Sequence, residues 1–315
     1  MPIESRGVKT ASIRGALALG LCFAAPALAA DGGAVAWWVW PLGLFALSFV
    51  LGVVAVIGGV GGGVLFVPLV SGFFPFHLDF VRGAGLLLAL SGALSATPAL
   101  LRNGLASIRL AMPLALVGSI TSIAGALLGF ALPTQVVQTA LGFTILSVVA
   151  LMWLAGRSER PRVAAPDPLG AAFRMHGVYY DPAARSEVDW RVHRTPAALV
   201  AFAGIGLLAG MFGLGAGWAN VPVLNLLMGV PLKLSVGTSA FLLTVIDTSA
   251  AWIYIHLGAV LPMLVAPTII GVMLGARIGA RLLRIAPARL VRRLVMGLLL
   301  VAGARAVLKG LAIWN

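Results

Sequence analysis

Apolar residues in this chain come in long unbroken runs and not in alternation. Runs of about 20 residues, the length needed to cross a hydrocarbon core of roughly 30 Å, recur at 36–57, 84–101, 110–131, 135–155, 197–212, 237–255, 260–280 and 290–312. They predict about eight membrane-spanning helices. Two shorter apolar pieces, 64–76 and 218–230, each follow a glycine cluster. Too short to cross comfortably, each is expected as the second arm of a broken helix or re-entrant hairpin. The segment 157–196 departs from the pattern: it holds Arg157, Arg160, Arg162, Arg174, Arg185, Arg191 and Arg194 and five of the nine acidic residues of the chain. It is expected as a solvated loop joining a first membrane repeat, 36–156, to a second, 197–312.

The two sides of that loop repeat one another. One ungapped offset of 154 pairs Gly59 with Gly213, Gly61 with Gly215, Gly63 with Gly217 and Pro68 with Pro222. It also pairs Gly83 with Gly237, Ser95 with Ser249, Gly104 with Gly258, Pro113 with Pro267 and Pro133 with Pro287. Chance matches are common in a composition rich in Gly, Ala and Leu, but an ordered series of prolines and glycines at one offset is not.

Composition places the chain in the bilayer without any motif. It is 61% hydrophobic and 10% charged, with mean hydropathy +1.06. A soluble domain of this size needs more charge to cover its surface. The net charge of +13 is accounted for by the positive-inside bias of membrane loops. Nucleic-acid binding is the weaker account, because the basic residues lie between apolar spans and not on one soluble patch. With residue 31 outside, Arg102, Arg109, the loop arginines, Lys233, Arg277, Arg281, Arg284, Arg289, Arg292 and Arg293 fall inside. Only Arg82, Arg305 and Lys309 fall outside. This orients the chain in the inner (cytoplasmic) membrane with its central loop cytoplasmic. It also makes the halves opposite in direction: Arg102 and Arg109 face in, while their mates around His256 to Pro262 face out. The expected fold is therefore an all-α polytopic membrane protein of two inverted-topology repeats, an arrangement found in secondary transporters.

Arg6, Lys9 and Arg14, the apolar stretch Ala16 to Ala25 and the Ala27-Leu28-Ala29 site predict a cleavable signal peptide over 1–29. An uncleaved anchor helix is the alternative, and both leave residue 31 outside. Cys22 is the single cysteine, which excludes an intramolecular disulfide and a cysteine metal site. No metalloprotease, nucleophile-elbow or Walker A motif is present, so the chain is expected to be neither an enzyme nor an ATP-driven pump, and to need no cofactor or metal.

The candidate chemistry lies at the breaks. Gly58-Gly59-Val60-Gly61-Gly62-Gly63 precedes Val64-Leu65-Phe66-Val67-Pro68, and Gly213-Leu214-Gly215-Ala216-Gly217 precedes Trp218-Ala219-Asn220-Val221-Pro222. Glycine lets main chain leave helical geometry and approach a ligand closely. A helix starting after such a break offers free amides to an anion without a charged side chain. The competing account is close helix packing by small residues. Thr238, Ser239, Thr244, Thr248 and Ser249, with Ser91, Ser95 and Thr97 in the first half, add hydroxyls that donate either to an oxyanion or to their own helix carbonyls. Asp247 is the one acidic residue inside an expected span. It reads either as a proton or cation coupling group or as a structural ion pair with Arg277 or Arg305. His256, at a span end, is an ordinary interfacial residue or a proton-handling one.

At these motifs the sequence resembles the sulfite exporter TauE/SafE family, also described as the toluenesulfonate-uptake permease family. The resemblance rests on Gly59-Val-Gly-Gly-Gly-Val-Leu-Phe-Val-Pro68, Gly213-Leu-Gly-Ala-Gly-Trp-Ala-Asn-Val-Pro222, Val230-Pro-Leu-Lys-Leu-Ser-Val-Gly-Thr-Ser239, and the spacing onward to His256-Leu-Gly258 and to Gly271, Gly275 and Gly279. Covering roughly 40–312, it implies a secondary transporter for sulfite, sulfonates or related organosulfur anions. Ala216 stands where the first cluster has Gly62, and Gly83-Ala84-Gly85 stands where the second half has Gly237-Thr238-Ser239, so the halves are not equivalent. The expected substrate-binding residues are Gly59, Gly61, Gly62, Gly63, Pro68, Gly213, Gly215, Gly217, Asn220, Pro222, Thr238, Ser239 and Ser249. Asp247 and His256 are the candidates for coupling. The expected partners are a small anion, the lipid bilayer and a coupling proton or cation. A carrier of a carboxylate or metal, a channel and a non-transporting scaffold are the other readings.

Overall fold

A computed structural model describes residues 38–58, 61–74, 76–154, 163, 167–181, 186–282 and 288–311. The expected signal peptide and Gly59 lie outside the described residues. The order of elements is α1 (Val39–Gly58), α2 (Gly62–Phe73), α3 (Leu78–Arg102), α4 (Ile108–Ala131), α5 (Thr134–Leu154), α6 (Pro168–Ala172), β1 (His176–Asp181) and β2 (Ser186–Arg191). Then come α7 (Thr195–Phe212), α8 (Gly217–Pro222), a π-helical turn (Val223–Leu227), α9 (Leu232–His256), α10 (Pro262–Leu282) and α11 (Ala288–Gly310). Five of these helices are long and apolar enough to cross a membrane: α3, α4, α5, α7 and α9.

Local chemistry explains most boundaries. α3 starts six residues before the expected apolar run, because the His77 ring accepts from the Asp79 amide at 3.4 Å and Asp79 favours the positive first turn. Ser107 caps α4 by accepting from the Leu110 amide at 3.3 Å. α7 stops at Gly213, whose φ of 65° is open to glycine at little cost and whose amide closes on the Ala209 carbonyl at 2.9 Å.

The segment expected as a solvated loop is partly folded. β1 and β2 form an antiparallel hairpin from His176↔Arg191 to Asp181↔Ser186. Its Met175, Tyr179, Trp190 and Val192 are buried in one cluster with Leu110, Leu114, Ala198 and Phe202 of α4 and α7. Asp167 ties the same segment to the start of α7, accepting from the Thr195 hydroxyl at 2.8 Å and amide at 3.2 Å. Scattered arginines mask this apolar stripe when the segment is judged by composition.

The offset of 154 reappears in the bounds: α3 and α9 run Leu78–Arg102 and Leu232–His256, and α4 and α10 start at Ile108 and Pro262. It reappears in the packing as well. α1 packs on α10 and α4 on α7, and exchanging the halves turns one pair into the other. A Cβ at Gly83 would collide with the Ala259 carbonyl, and one at Gly237 with the Leu105 carbonyl. Residues 83 and 237, and 105 and 259, are again 154 apart. At both places the absent side chain lets a connecting loop lie on a helix.

The three basic residues that the charge pattern leaves outside are all engaged. Arg82 is fully buried. Lys309 of α11 donates to the Ser71 carbonyl at 2.9 Å, and the Arg305 guanidinium stacks over Phe73 at 4.3 Å. Both cations stand at the C-terminal end of α2, where free carbonyls gather.

Candidate functional site

The two breaks meet. Gly61 is the N-cap of α2, with φ −61° and ψ 143° and no side-chain cap. Among the described residues a Cβ placed on it would meet only Gly217 Cα, at 3.8 Å, and one on Gly217 would lie 3.6 Å from Gly61 Cα. Main chain from two places 156 residues apart thus approaches so closely that one added methyl would bridge the gap. Gly213 and Gly215, at φ 65° and 70°, turn the second segment into this crossing. Below it, a Cβ on Gly63 would lie 2.5 Å from the Leu214 carbonyl and 2.9 Å from that of Gly85, so α3 also contributes its backbone. Gly61 differs from the others: neither its dihedrals nor its neighbours require glycine.

Asp247 faces the second break. Its Oδ2 lies 3.0 Å from the position of a Cβ on Gly215, and the carboxylate stands beside the Ala216 amide without a hydrogen bond of normal geometry. The residue is fully buried. The ion pair weighed for it with Arg277 or Arg305 does not form: Arg277 is exposed and Arg305 is committed to Phe73. Asn220 is buried with both side-chain polar atoms unpartnered, and the Trp218 indole N–H is likewise buried and unpartnered.

The other candidate residues are more dispersed. Thr238 is buried and accepts from the Ser107 amide at 3.1 Å, holding α9 to the turn before α4. Ser249 donates to the Val245 carbonyl of its own helix at 3.1 Å. Ser239 is buried on α9. Gly62 faces the Leu88 side chain, and Pro68 and Pro222 lie inside α2 and α8. His256 is exposed in the last turn of α9.

The charge pattern puts Arg82 on the outer side, where an exposed residue is expected, but the structure buries it. Its guanidinium donates to the carbonyls of Met211 at 2.9 Å and Gly129 at 3.1 Å and pairs with Asp79. It lies 5.0 Å from the Phe130 ring centroid and 5.8 Å from that of Tyr254. The Tyr254 hydroxyl donates to the Gly210 carbonyl at 2.8 Å. Four helices, α3, α4, α7 and α9, are thereby joined beside Gly213. The one local signal was Asp79 three residues ahead of Arg82, an i,i+3 ion pair on one helix face.

Long apolar helices and two broken elements that approach one another with buried polar groups beside them mark a polytopic α-helical membrane protein. The family model for sulfite exporter TauE/SafE matches residues 44–306. The chain belongs to that family, which implies a membrane transporter of sulfur-containing anions. No curated protein and no solved structure matches the chain.

Proposed function

We propose that this protein is a secondary transporter that moves a small sulfur oxyanion, sulfite or a sulfonate, across the cytoplasmic membrane by alternating access. The observation that carries the reading is the close approach of Gly61 and Gly217, separated by no more than the reach of one added methyl. Two interrupted elements, one from each half, expose main chain to a shared point inside the helix bundle. The amides at the start of α2 have no side-chain cap, and a 12-residue helix adds a partial positive charge there. Those amides, with the 213–217 main chain and Asn220, form the oxyanion site. Ser239 is a further donor. Thr238 and Ser249 join only by giving up their present partners.

The exchange of contacts at the offset of 154 supports two inverted repeats. Such repeats alternate access by rocking one half against the other around a fixed site. The charge pattern supports the orientation with the hairpin of β1 and β2 on the cytoplasmic side.

The test is flux of radiolabelled sulfite and of a radiolabelled sulfonate in liposomes holding the purified full chain. Saturable flux with counterflow is expected. Flux absent for every sulfur oxyanion tried would remove the reading, and flux without saturation would replace a carrier by a channel.

A further inference from the structure

Asp247 is not explained by an oxyanion site made of amides. It lies near the middle of α9, fully buried, with neither carboxylate oxygen hydrogen-bonded. Its Oδ2 lies 3.0 Å from the position a Cβ on Gly215 would take, and the Ala89 methyl and Leu243 Cδ2 lie 2.7 Å and 3.5 Å from that same position. An unpaired carboxylate is costly in such surroundings and persists there only if it does something or is neutral.

The charged and titratable groups on the helices packed against α9 lie elsewhere. α3 carries Asp79, Arg82 and Arg102, α4 carries Arg109, α7, α8 and the π-helical turn carry none, and α9 itself carries Lys233, Tyr254 and His256. Arg82 and Asp79 pair with each other, and Arg82 reaches α9 at Tyr254, seven residues or about 10 Å of helix rise beyond Asp247. Lys233 is fourteen residues, about 21 Å, in the other direction. Among the described residues no cation forms an ion pair with Asp247.

We propose that Asp247 carries the proton of the transport cycle, being protonated while the oxyanion occupies the crossing and ionised when the empty crossing opens to water. This rests on the transport reading above. A carboxylate and an oxyanion about 5 Å apart, at an effective dielectric of about 20, disfavour each other by on the order of a few hundred-fold. The anion therefore enters with a proton on Asp247. On release the carboxyl O–H bond breaks, its electron pair stays on the oxygen, and the proton passes to water. A metal ion is a poor alternative cargo, because it needs several oxygen ligands and among the described residues no group of three Asp, Glu, His or Cys side chains stands together to hold one.

Methanesulfonate is the probe of choice, since a sulfonate carries no proton of its own near neutral pH. In liposomes loaded with a pH-sensitive dye, the wild-type protein is expected to move one proton with each radiolabelled methanesulfonate, and a pH gradient should drive accumulation of methanesulfonate and of sulfite. Asp247→Asn should lose pH-driven accumulation to the level of empty liposomes, while counterflow persists. A purely structural role would lower both together. Infrared difference spectra of the wild-type protein should show a protonated carboxyl band that shifts on 13C-aspartate labelling, a measurement that does not depend on the variant folding. Anion flux with no proton movement overturns the inference and leaves the transport reading standing. No flux of either anion removes both, and absence of the infrared band overturns the inference whatever the flux.

Discussion

Gly61→Ala separates a transport site from a packing scaffold. Gly61 has φ −61° and ψ 143°, open to any residue, and among the described residues an added methyl would meet only Gly217 Cα at 3.8 Å. Removing backbone freedom from the unfolded chain stabilises by about 0.4–1 kcal/mol, and replacing glycine by alanine at an N-cap opposes this by a similar amount. Folded stability should therefore stay within about 1 kcal/mol of wild type. The methyl nevertheless fills the space between the two breaks. Loss of one hydrogen bond to a charged group, about 1.5–3 kcal/mol, weakens oxyanion binding by about 10- to 150-fold. Gly213→Ala is the contrasting control. There the left-handed φ of 65° costs alanine about 1–2 kcal/mol. Collision with the Arg82 carbonyl adds about 1–3 kcal/mol of overpacking. That variant should be recovered in poor yield or with a lowered unfolding temperature. The assay is KM for sulfite or methanesulfonate flux in liposomes, normalised to protein that elutes as a folded peak, with thermal unfolding in detergent alongside. A Gly61→Ala protein with wild-type KM and rate would refute the argument, and Gly61→Val behaving the same way would favour a scaffold.

Arg82→Met leaves Asp79 and the carbonyls of Met211 and Gly129 without their donor, and unfolding should show a loss of about 3–5 kcal/mol. Arg82→Lys should recover part of it, because an ammonium cannot reproduce the guanidinium fork; equal stability of all three proteins would count against the cluster as a joint between helices. Thr238→Val deprives the Ser107 amide of its acceptor and should cost about 1 kcal/mol of stability with KM unchanged, whereas a raised KM would put Thr238 in the anion site. Starting from Cys22→Ser, Asn103→Cys should react with a membrane-impermeant maleimide only from the cytoplasmic side and Leu257→Cys only from the opposite side. Labelling of both from one side would end the inverted arrangement.

Much of the fold was legible because a membrane helix is a local object. Hydropathy over about 20 residues marks it, and the bilayer supplies the constraint that distant residues supply in a soluble protein. Expected and observed bounds accordingly differ by a few residues for most helices, and most at α3, where the His77 and Asp79 cap extends the helix beyond its apolar run. The offset of 154 was legible too, since glycine and proline act on their own backbone and leave their mark in sequence order. The hairpin inside 157–196 was hidden because its apolar face is short and interrupted by charge, and it becomes a folded element only against α4 and α7.

Side-chain burial and partnership were decided only in three dimensions. Arg82 looks like an edge residue until Gly129, Met211 and Tyr254, which lie 47 to 172 positions away in the chain, close around it. Asp247 invited an ion-pair partner by composition, yet it lies fully buried beside Gly215 and Ala216 with neither oxygen hydrogen-bonded. That Gly61 comes within a methyl's reach of Gly217 depends on how the two halves dock. The sequence by itself determined where the long apolar helices fall and the offset of 154 that recurs in their bounds, because those properties are set along neighbouring residues. Which main chain faces which, and which charge is left alone, came from tertiary packing, because the energy of a buried polar group is set by the atoms within a few ångströms of it, and these are contributed by helices far apart in the chain.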